Sequence, residues 1–377
     1  MLSTITCAYS DRKAGIQFCG IRASQSILGY LMSSKPSALK PPALKPSAVK
    51  TAGPERLLRV GVIGAGVMGS NHGRVLAGLA GVRLVGIVDP LAAHRARAAE
   101  MIGCRTFETF DELFAAGVDA VTIAAPTHLH CELALACIAR GVHVLVEKPI
   151  ASTVEEGLRI VAAARQAGLT LMVGHVERFN PAVAAIKQAI KGEDILSIAI
   201  TRVGPFPPRM SNVGVVIDLA VHDIDLIRWF TGSEIIDVQP QLSSAVAERE
   251  DIALLQFRTA SGVLAHINTN WLTPFKARNV TVATRGKYVM GDLLTRQVAE
   301  CFGFQPDGSY SMRHLPVGHD EPLRAELIAF VDAVRSGKDP AVSGGEGVAS
   351  LEIAIKCLEA PSSVAPPMRP AARLIAG

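Results

Sequence analysis

The chain has 377 residues, of which 49% are hydrophobic, 19% charged and 5% aromatic, with 33 glycines. That length suggests two domains of ordinary size, and the composition excludes a mainly disordered chain or a collagen. The net charge of +4 is concentrated at one end: residues 1–50 hold seven cations against the single acid Asp11, and the other 327 residues sum to −2. The body of the chain therefore has no general electrostatic attraction for nucleic acid. No run of about 18 apolar residues occurs, so no membrane span is expected.

Residues 34–50 repeat Lys-Pro-x-Ala-x, which reads as an extended linker, because each proline removes a donor and disfavours helix before it. Residues 1–33 are acid-poor and mildly basic. They have the composition of a transit peptide but lack an apolar stretch followed by a small-residue cleavage site. A disordered basic extension over 1–55 and a Pro-rich tail over 361–377 are the expectation, with a cytoplasmic location. The seven cysteines form no Cys-x-x-Cys pair, so neither a zinc cluster nor a disulfide framework is expected. Cys104, Cys131, Cys137 and Cys357 fall in apolar periodic segments and read as buried reduced thiols.

From Leu57 onward, β-branched runs at 57–64, 82–89, 118–126, 142–149 and 169–175, with a weak one near 104–107, alternate with Ala-rich helical stretches. Strands that are apolar throughout are buried on both faces, so a doubly wound parallel sheet is predicted over 56–176, a Rossmann domain. After Pro181 the strand-like runs at 195–203, 235–247, 251–258, 262–271 and 278–284 interleave polar residues. That pattern predicts an α+β domain over 177–360 with a largely antiparallel open sheet. A long apolar helix is expected at 215–231 and helices near 181–191, 321–336 and 346–358.

Gly64-Ala65-Gly66-Val67-Met68-Gly69 is a G-x-G-x-x-G turn directly after a strand and opening a helix. The three glycines allow the tight turn, the approach of a pyrophosphate and close helix–strand packing. Asp89 ends the second strand 20 residues after Gly69, where a carboxylate accepts from ribose hydroxyls and repels a 2′-phosphate. NAD is expected, in preference to NADP. Glu147-Lys148-Pro149 closes the fifth strand at the carboxyl edge of the sheet, where Glu147 and Lys148 are expected to bind the cofactor, the lysine as a cation beside the nicotinamide that can polarise a substrate hydroxyl. Pro126, Thr127 and His130 follow the fourth strand near the same edge, with His128, and are expected beside the cofactor. His175, Glu177, Arg178 and Asn180 follow the sixth strand at that rim.

In the helix VVIDLAVHDIDLIRWF, Asp218, His222 and Asp225 are spaced i, i+4, i+7, which predicts one shared face. A carboxylate one turn from an imidazole can hold its tautomer and suit it to act as a base. No zinc-type His spacing appears, so no metal is expected. Arg178, Arg202 and Arg209 offer planar forks for phosphate, or serve as ion-pair partners.

With these motifs the chain from about Arg59 to Leu358 resembles the Gfo/Idh/MocA oxidoreductases. The likeness rests on GAGVMG with His72 three residues on, on Glu147-Lys148-Pro149, and on Asp218-x-x-x-His222-x-x-Asp225. It implies NAD(P)-dependent oxidation of sugars or cyclitols with Lys148 and His222 at the reacting centre, His222 as base. Asp218 then binds substrate or supports the histidine. The stretches 171–183 and 202–225 resemble the branch that oxidises C3 of UDP-N-acetylglucosamine, and more loosely the one acting on the corresponding uronic acid. That resemblance implies a nucleotide-sugar substrate held in part by Arg178, Asn180, Arg202 and Arg209. The family's run of glycines before the Asp is here Asn212-Val213-Gly214-Val215. Pairing through the outer face of the second sheet, as a dimer or tetramer, is implied by resemblance alone. Free-sugar or inositol oxidation, and a non-catalytic NAD-binding regulator, are the competing readings.

Overall fold

The computed structural model describes residues 56–207 and 213–360. The basic extension with its Lys-Pro repeat, Arg209 and the tail from 361 lie outside the described residues. The first half alternates strand and helix: β1 (Leu58–Ile63), α1 (Val67–Ala77), β2 (Val82–Val88), α2 (Ala92–Ile102), β3 (Thr106–Phe107), α3 (Phe110–Ala115), β4 (Ala120–Ile123), α4 (His130–Ala139), β5 (His143–Glu147), α5 (Val154–Ala167) and β6 (Leu171–Gly174). Its six strands lie in the order β3-β2-β1-β4-β5-β6, all parallel. The order reverses between β1 and β4, so the carboxyl ends of those strands open the crevice in which such sheets hold ligands. Every residue of β4 and of β6 is buried, as uniformly apolar strands covered on both faces must be.

The second half contains α6 (Pro181–Ala189), β7 (Ile195–Pro205), α7 (Val221–Thr231), β8 (Ile235–Ser243), β9 (Ile252–Thr259), β10 (Leu264–Asn270), β11 (Leu272–Thr284), β12 (Lys287–Asp292), β13 (Gln297–Phe302), β14 (Ser311–Leu315), α8 (Pro322–Ser336) and α9 (Gly344–Glu359). Eight strands form one sheet, ordered β14-β13-β12-β11-β7-β10-β9-β8. All neighbours are antiparallel except β7 and β10. In β9 every second residue is buried, from Ala253 to Thr259, while Leu254, Gln256 and Arg258 face out. This two-sided pattern is the polar interleaving read from the sequence.

Two features depart from expectation. Strands β12 to β14 extend the sheet beyond the five runs anticipated. The C-terminal helices also return to the first core: Leu327 and Phe330 of α8 and Leu351 of α9 pack with Val62, Val144 and Met172 in one buried cluster. Residues 321–360 thus do not belong wholly to the second layer. Phe330 is fully buried, and Phe330→Ala costs about 3–5 kcal/mol by the usual cavity penalty.

Candidate active site

The glycine turn joins β1 to α1. Gly64 has φ +100°, and a Cβ there would lie 2.5 Å from the Ala124 carbonyl oxygen; at Gly69 it would lie 1.8 Å from the Gly64 oxygen. Both positions therefore require glycine for backbone reasons. At Gly66 a Cβ would meet nothing within 4 Å, so packing alone does not require glycine there, whereas a phosphate drawn up to the backbone does. Helix α1 starts at Gly66 without a side-chain cap, which leaves N-terminal N–H groups and the positive dipole end for an anion. Val67 and Met68 are exposed on that first turn. Asp89, nearly buried just past β2, accepts from Ala65 N at 2.8 Å and from Leu91 N at 2.9 Å. The carboxylate thus braces the turn at the carboxyl end of β2. These residues fit a dinucleotide.

The second group gathers at the carboxyl ends of β5 and β6. Lys148 donates from Nζ to the Asp218 carbonyl oxygen at 2.6 Å and lies 3.3 Å from Asp218 Oδ1. A π-helical turn over Val216–Ala220 precedes α7. It inserts an extra residue into the turn, a device frequent at functional sites, and it places Asp218 against Lys148 rather than against His222. The His222 ring stands edge-on to His175, with centroids 6.2 Å apart. Its Nδ1 is buried and has no hydrogen-bond partner in the protein. Burial, then the charges of Lys148, Arg202, His175 and Arg278, push the His222 imidazole well below its ordinary pKa. It is therefore neutral near pH 7, and the cations around it favour negative charge on a bound oxygen.

The comparisons with known proteins agree with this geometry. Residues 58–175 match the family described as "Oxidoreductase family, NAD-binding Rossmann fold", and residues 197–289 match the "GFO/IDH/MocA C-terminal domain". The chain belongs to the Gfo/Idh/MocA oxidoreductase family. A UDP-N-acetylglucosamine 3-dehydrogenase of Acidithiobacillus ferrooxidans is 30% identical over 307 residues, covering 79% of this chain and 96% of that one. An inositol 2-dehydrogenase of Saccharopolyspora erythraea is 34% identical over 322 residues, covering 80% of this chain and 94% of that one. A solved structure of the Acidithiobacillus enzyme superposes with a TM-score of 0.75 at 29% identity, over 80% of this chain and 96% of that one. As a Gfo/Idh/MocA member the protein is an NAD-dependent dehydrogenase.

Within this Gfo/Idh/MocA framework several residues take other parts than the sequence suggested. Arg178 pairs with both oxygens of buried Asp225, at 2.7 Å each, and with Glu346 at 2.6 Å. Arg202 is buried between Asp223 and Glu177, at 2.8–3.0 Å. Burial works against the Arg202 charge, but Asp223 and Glu177 outweigh it and hold the guanidinium above its ordinary pKa. Neither fork is free for a phosphate. Asn180 caps α6, its Oδ1 accepting from Ala182 N and its Nδ2 donating to the Leu293 oxygen, so its amide positions that helix. Both ring nitrogens of His130 face carbonyls, Pro149 O and Ala125 O, at 2.9 Å. That histidine ties two turns together and has no ring nitrogen left for the cofactor. Both oxygens of Glu147 are likewise held inside, by His72 Nε2 and Lys148 N. Asp225 serves Arg178, so the expected partnership of Asp218 and Asp225 with His222 is not formed.

One residue escaped the sequence reading. Arg278 on β11 is 36% exposed, bonds Glu177 at 3.0 Å and is close enough to lower the His222 pKa. It lines a cavity of about 260 Å³ with Val176, Asn180, Leu293, Arg296 and Pro322. Nothing in its own strand marks it, because its partners come from residues about a hundred positions away. Pro126 and Thr127 sit on the turn after β4, at the carboxyl edge of the parallel sheet. Among the described residues the cysteines are unpaired, and burial pushes the Cys137 and Cys357 thiols up to about 12. No described helix is long and apolar enough to cross a membrane.

Proposed function

We propose that the protein oxidises a secondary hydroxyl of a sugar, with C3 of UDP-N-acetylglucosamine as the preferred position, giving the 3-keto sugar. The observation that carries the chemistry is the pairing of a half-buried lysine, Lys148, with a neutral histidine, His222, at the carboxyl edge of a dinucleotide-binding sheet. NAD+, held by the Gly64–Gly69 turn and Asp89, supplies the oxidant. His222 takes the hydroxyl proton, and Lys148 steadies the oxygen as negative charge develops on it. Asp218 aims Lys148 through its carbonyl and carboxylate oxygens. The net change is CH–OH plus NAD+ to C=O plus NADH and a proton.

The nucleotide-sugar substrate is supported by the relative that is matched over 96% of its length and bears that activity in its name. Arg278 is the described site arginine with an open side for a substrate oxygen or phosphate. The similarity to inositol 2-dehydrogenases at 34% identity favours a second reading, a free cyclitol substrate. NADH absorbance after mixing with UDP-N-acetylglucosamine, its uronic acid, N-acetylglucosamine and myo-inositol separates the two. A rise with the UDP sugar alone is expected, and a rise with myo-inositol alone overturns the nucleotide-sugar assignment. Leu254 and Leu264 stand exposed on the outer face of the eight-stranded sheet, which supports pairing of two copies there.

A further inference from the structure

Behind Lys148 lies a sealed cluster that the chemistry above leaves unused. His72 comes from α1, Glu147 from the end of β5 and Glu326 from α8, and all three are buried. One ring nitrogen and one oxygen from each carboxyl lie within 4.8 Å of one another. Glu147 is fully engaged: Oε1 meets His72 Nε2 at 2.9 Å and Oε2 accepts from the Lys148 backbone N–H at 3.2 Å. Glu326 is not engaged. Neither of its oxygens has a hydrogen-bond partner, at zero exposure.

A carboxyl in that position is costly. Its neighbours on the buried face of α8 are Leu323, Leu327 and Phe330, so a leucine at 326 would suit the packing. Something other than packing must account for a glutamate there.

We propose that Glu326 is a positioning residue that holds the cluster's proton and, by a small turn of its carboxyl across a gap of at most 4.8 Å, donates it to Glu147, fixing the carboxylate that seats the Lys148 backbone. A second ionised carboxylate beside Glu147 would repel it and loosen its grip on the Lys148 peptide; a neutral carboxyl donates instead. The charged and titratable groups around the pair are His72, Lys148, and the His130 and His175 rings, both of which feel the Glu147 charge. Burial, then the nearby Glu147 charge, push Glu326 well above its ordinary range. For Glu147, burial is outweighed by the His72 hydrogen bond and charge and by Lys148, which keep it ionised. One carboxyl stays protonated while the other stays charged, as expected for two acids sharing one dry site.

The inference rests on the placement of Lys148 at the reacting centre and not on the identity of the sugar. Its first test needs no substrate. The infrared spectrum of the full chain at neutral pH should show a protonated-carboxyl C=O band that is lost in Glu326→Gln; a spectrum in which that substitution removes no such band overturns the proposal. The folded protein keeps a proton that the unfolded chain releases, so the stability of wild type relative to Glu326→Gln should fall as pH rises from about 5 to about 8. A constant difference overturns it. Glu326→Leu should unfold at a higher temperature than wild type, still bind NADH, and lose kcat about ten- to a hundredfold through misplacement of Lys148. Glu326→Gln should restore most of that loss. A purely structural role predicts full activity in Glu326→Leu and would sink the idea. Stoichiometric divalent metal in the purified protein would also sink it, making the three residues ligands. If the wild-type chain oxidises none of the sugars tried, the placement of Lys148 fails, while the infrared and pH measurements still decide the state of Glu326.

Discussion

Lys148 Nζ lies 2.6 Å from the Asp218 carbonyl oxygen and 3.3 Å from its carboxylate, so the lysine just past β5 is aimed by the π-helical turn that precedes α7. The arrangement makes Asp218 an orienting group for Lys148. Asp218→Asn keeps the carbonyl contact and removes only a charge-assisted one, so kcat should fall by about tenfold with NADH affinity unchanged. Lys148→Met removes the cation itself and should lower kcat by about 10²–10³. Steady-state kinetics with fluorescence titration of NADH check both. Equal losses in the two variants would contradict the orienting role.

The cofactor turn gives a second expectation. A methyl group at residue 69 would lie 1.8 Å from the Gly64 oxygen, a collision with backbone that no rotamer relieves. Gly69→Ala should therefore abolish measurable NADH binding while leaving the eight-stranded sheet intact by circular dichroism. Undiminished NADH binding would argue against the Gly64–Gly69 turn as the cradle.

The buried arginines yield a stability prediction in place of a binding one. Arg202→Met strands buried Asp223 and leaves Glu177 with only Arg278 and Asn180, and loss of one partner from such a network costs about 3–5 kcal/mol. Denaturant unfolding should show that loss. A variant of normal stability whose KM for the sugar has risen would return Arg202 to substrate binding.

Stability should also respond to acid in a defined direction. Burial, as the largest cause in each case, lowers His222, His175, His130 and His143 from their ordinary value of 6.5. A base with a depressed folded pKa contributes stability that is present above 6.5 and lost as pH falls, because the unfolded chain then binds more protons. Each such group changes the unfolding free energy by up to about 1.4 kcal/mol per pH unit below that point. The drop in melting temperature from about pH 7.5 to about pH 5.5 should be smaller in His222→Asn than in wild type. An equal drop would mean that His222 is protonated in the fold.

Much of this was legible in the sequence. The unbroken apolar strands and the glycine turn specify the parallel sheet and its cofactor edge, because burial on both faces leaves no polar positions to obscure the pattern. Strands β12 to β14 were not legible: β14, Ser-Met-Arg-His-Leu, is exposed along most of its length, so no periodicity announces it. Lys148 and His222 could be picked out because polar groups in apolar segments are conspicuous. Their partners could not. An i, i+4 spacing presumes an α-helix, and the π-helical turn at Val216–Ala220 breaks that presumption locally. An arginine's charge likewise does not reveal what meets it, and Arg178 finds Glu346 168 residues away.

The central claim is that His222 accepts the proton as the sugar hydroxyl is oxidised. Single-turnover formation of NADH, with enzyme in excess over UDP-N-acetylglucosamine at saturating NAD+, compares wild type directly with His222→Ala. The account predicts a burst in wild type and a rate lower by about 10²–10⁴ in the variant, with NADH binding preserved in both. NADH formation at the wild-type rate in His222→Ala would contradict it.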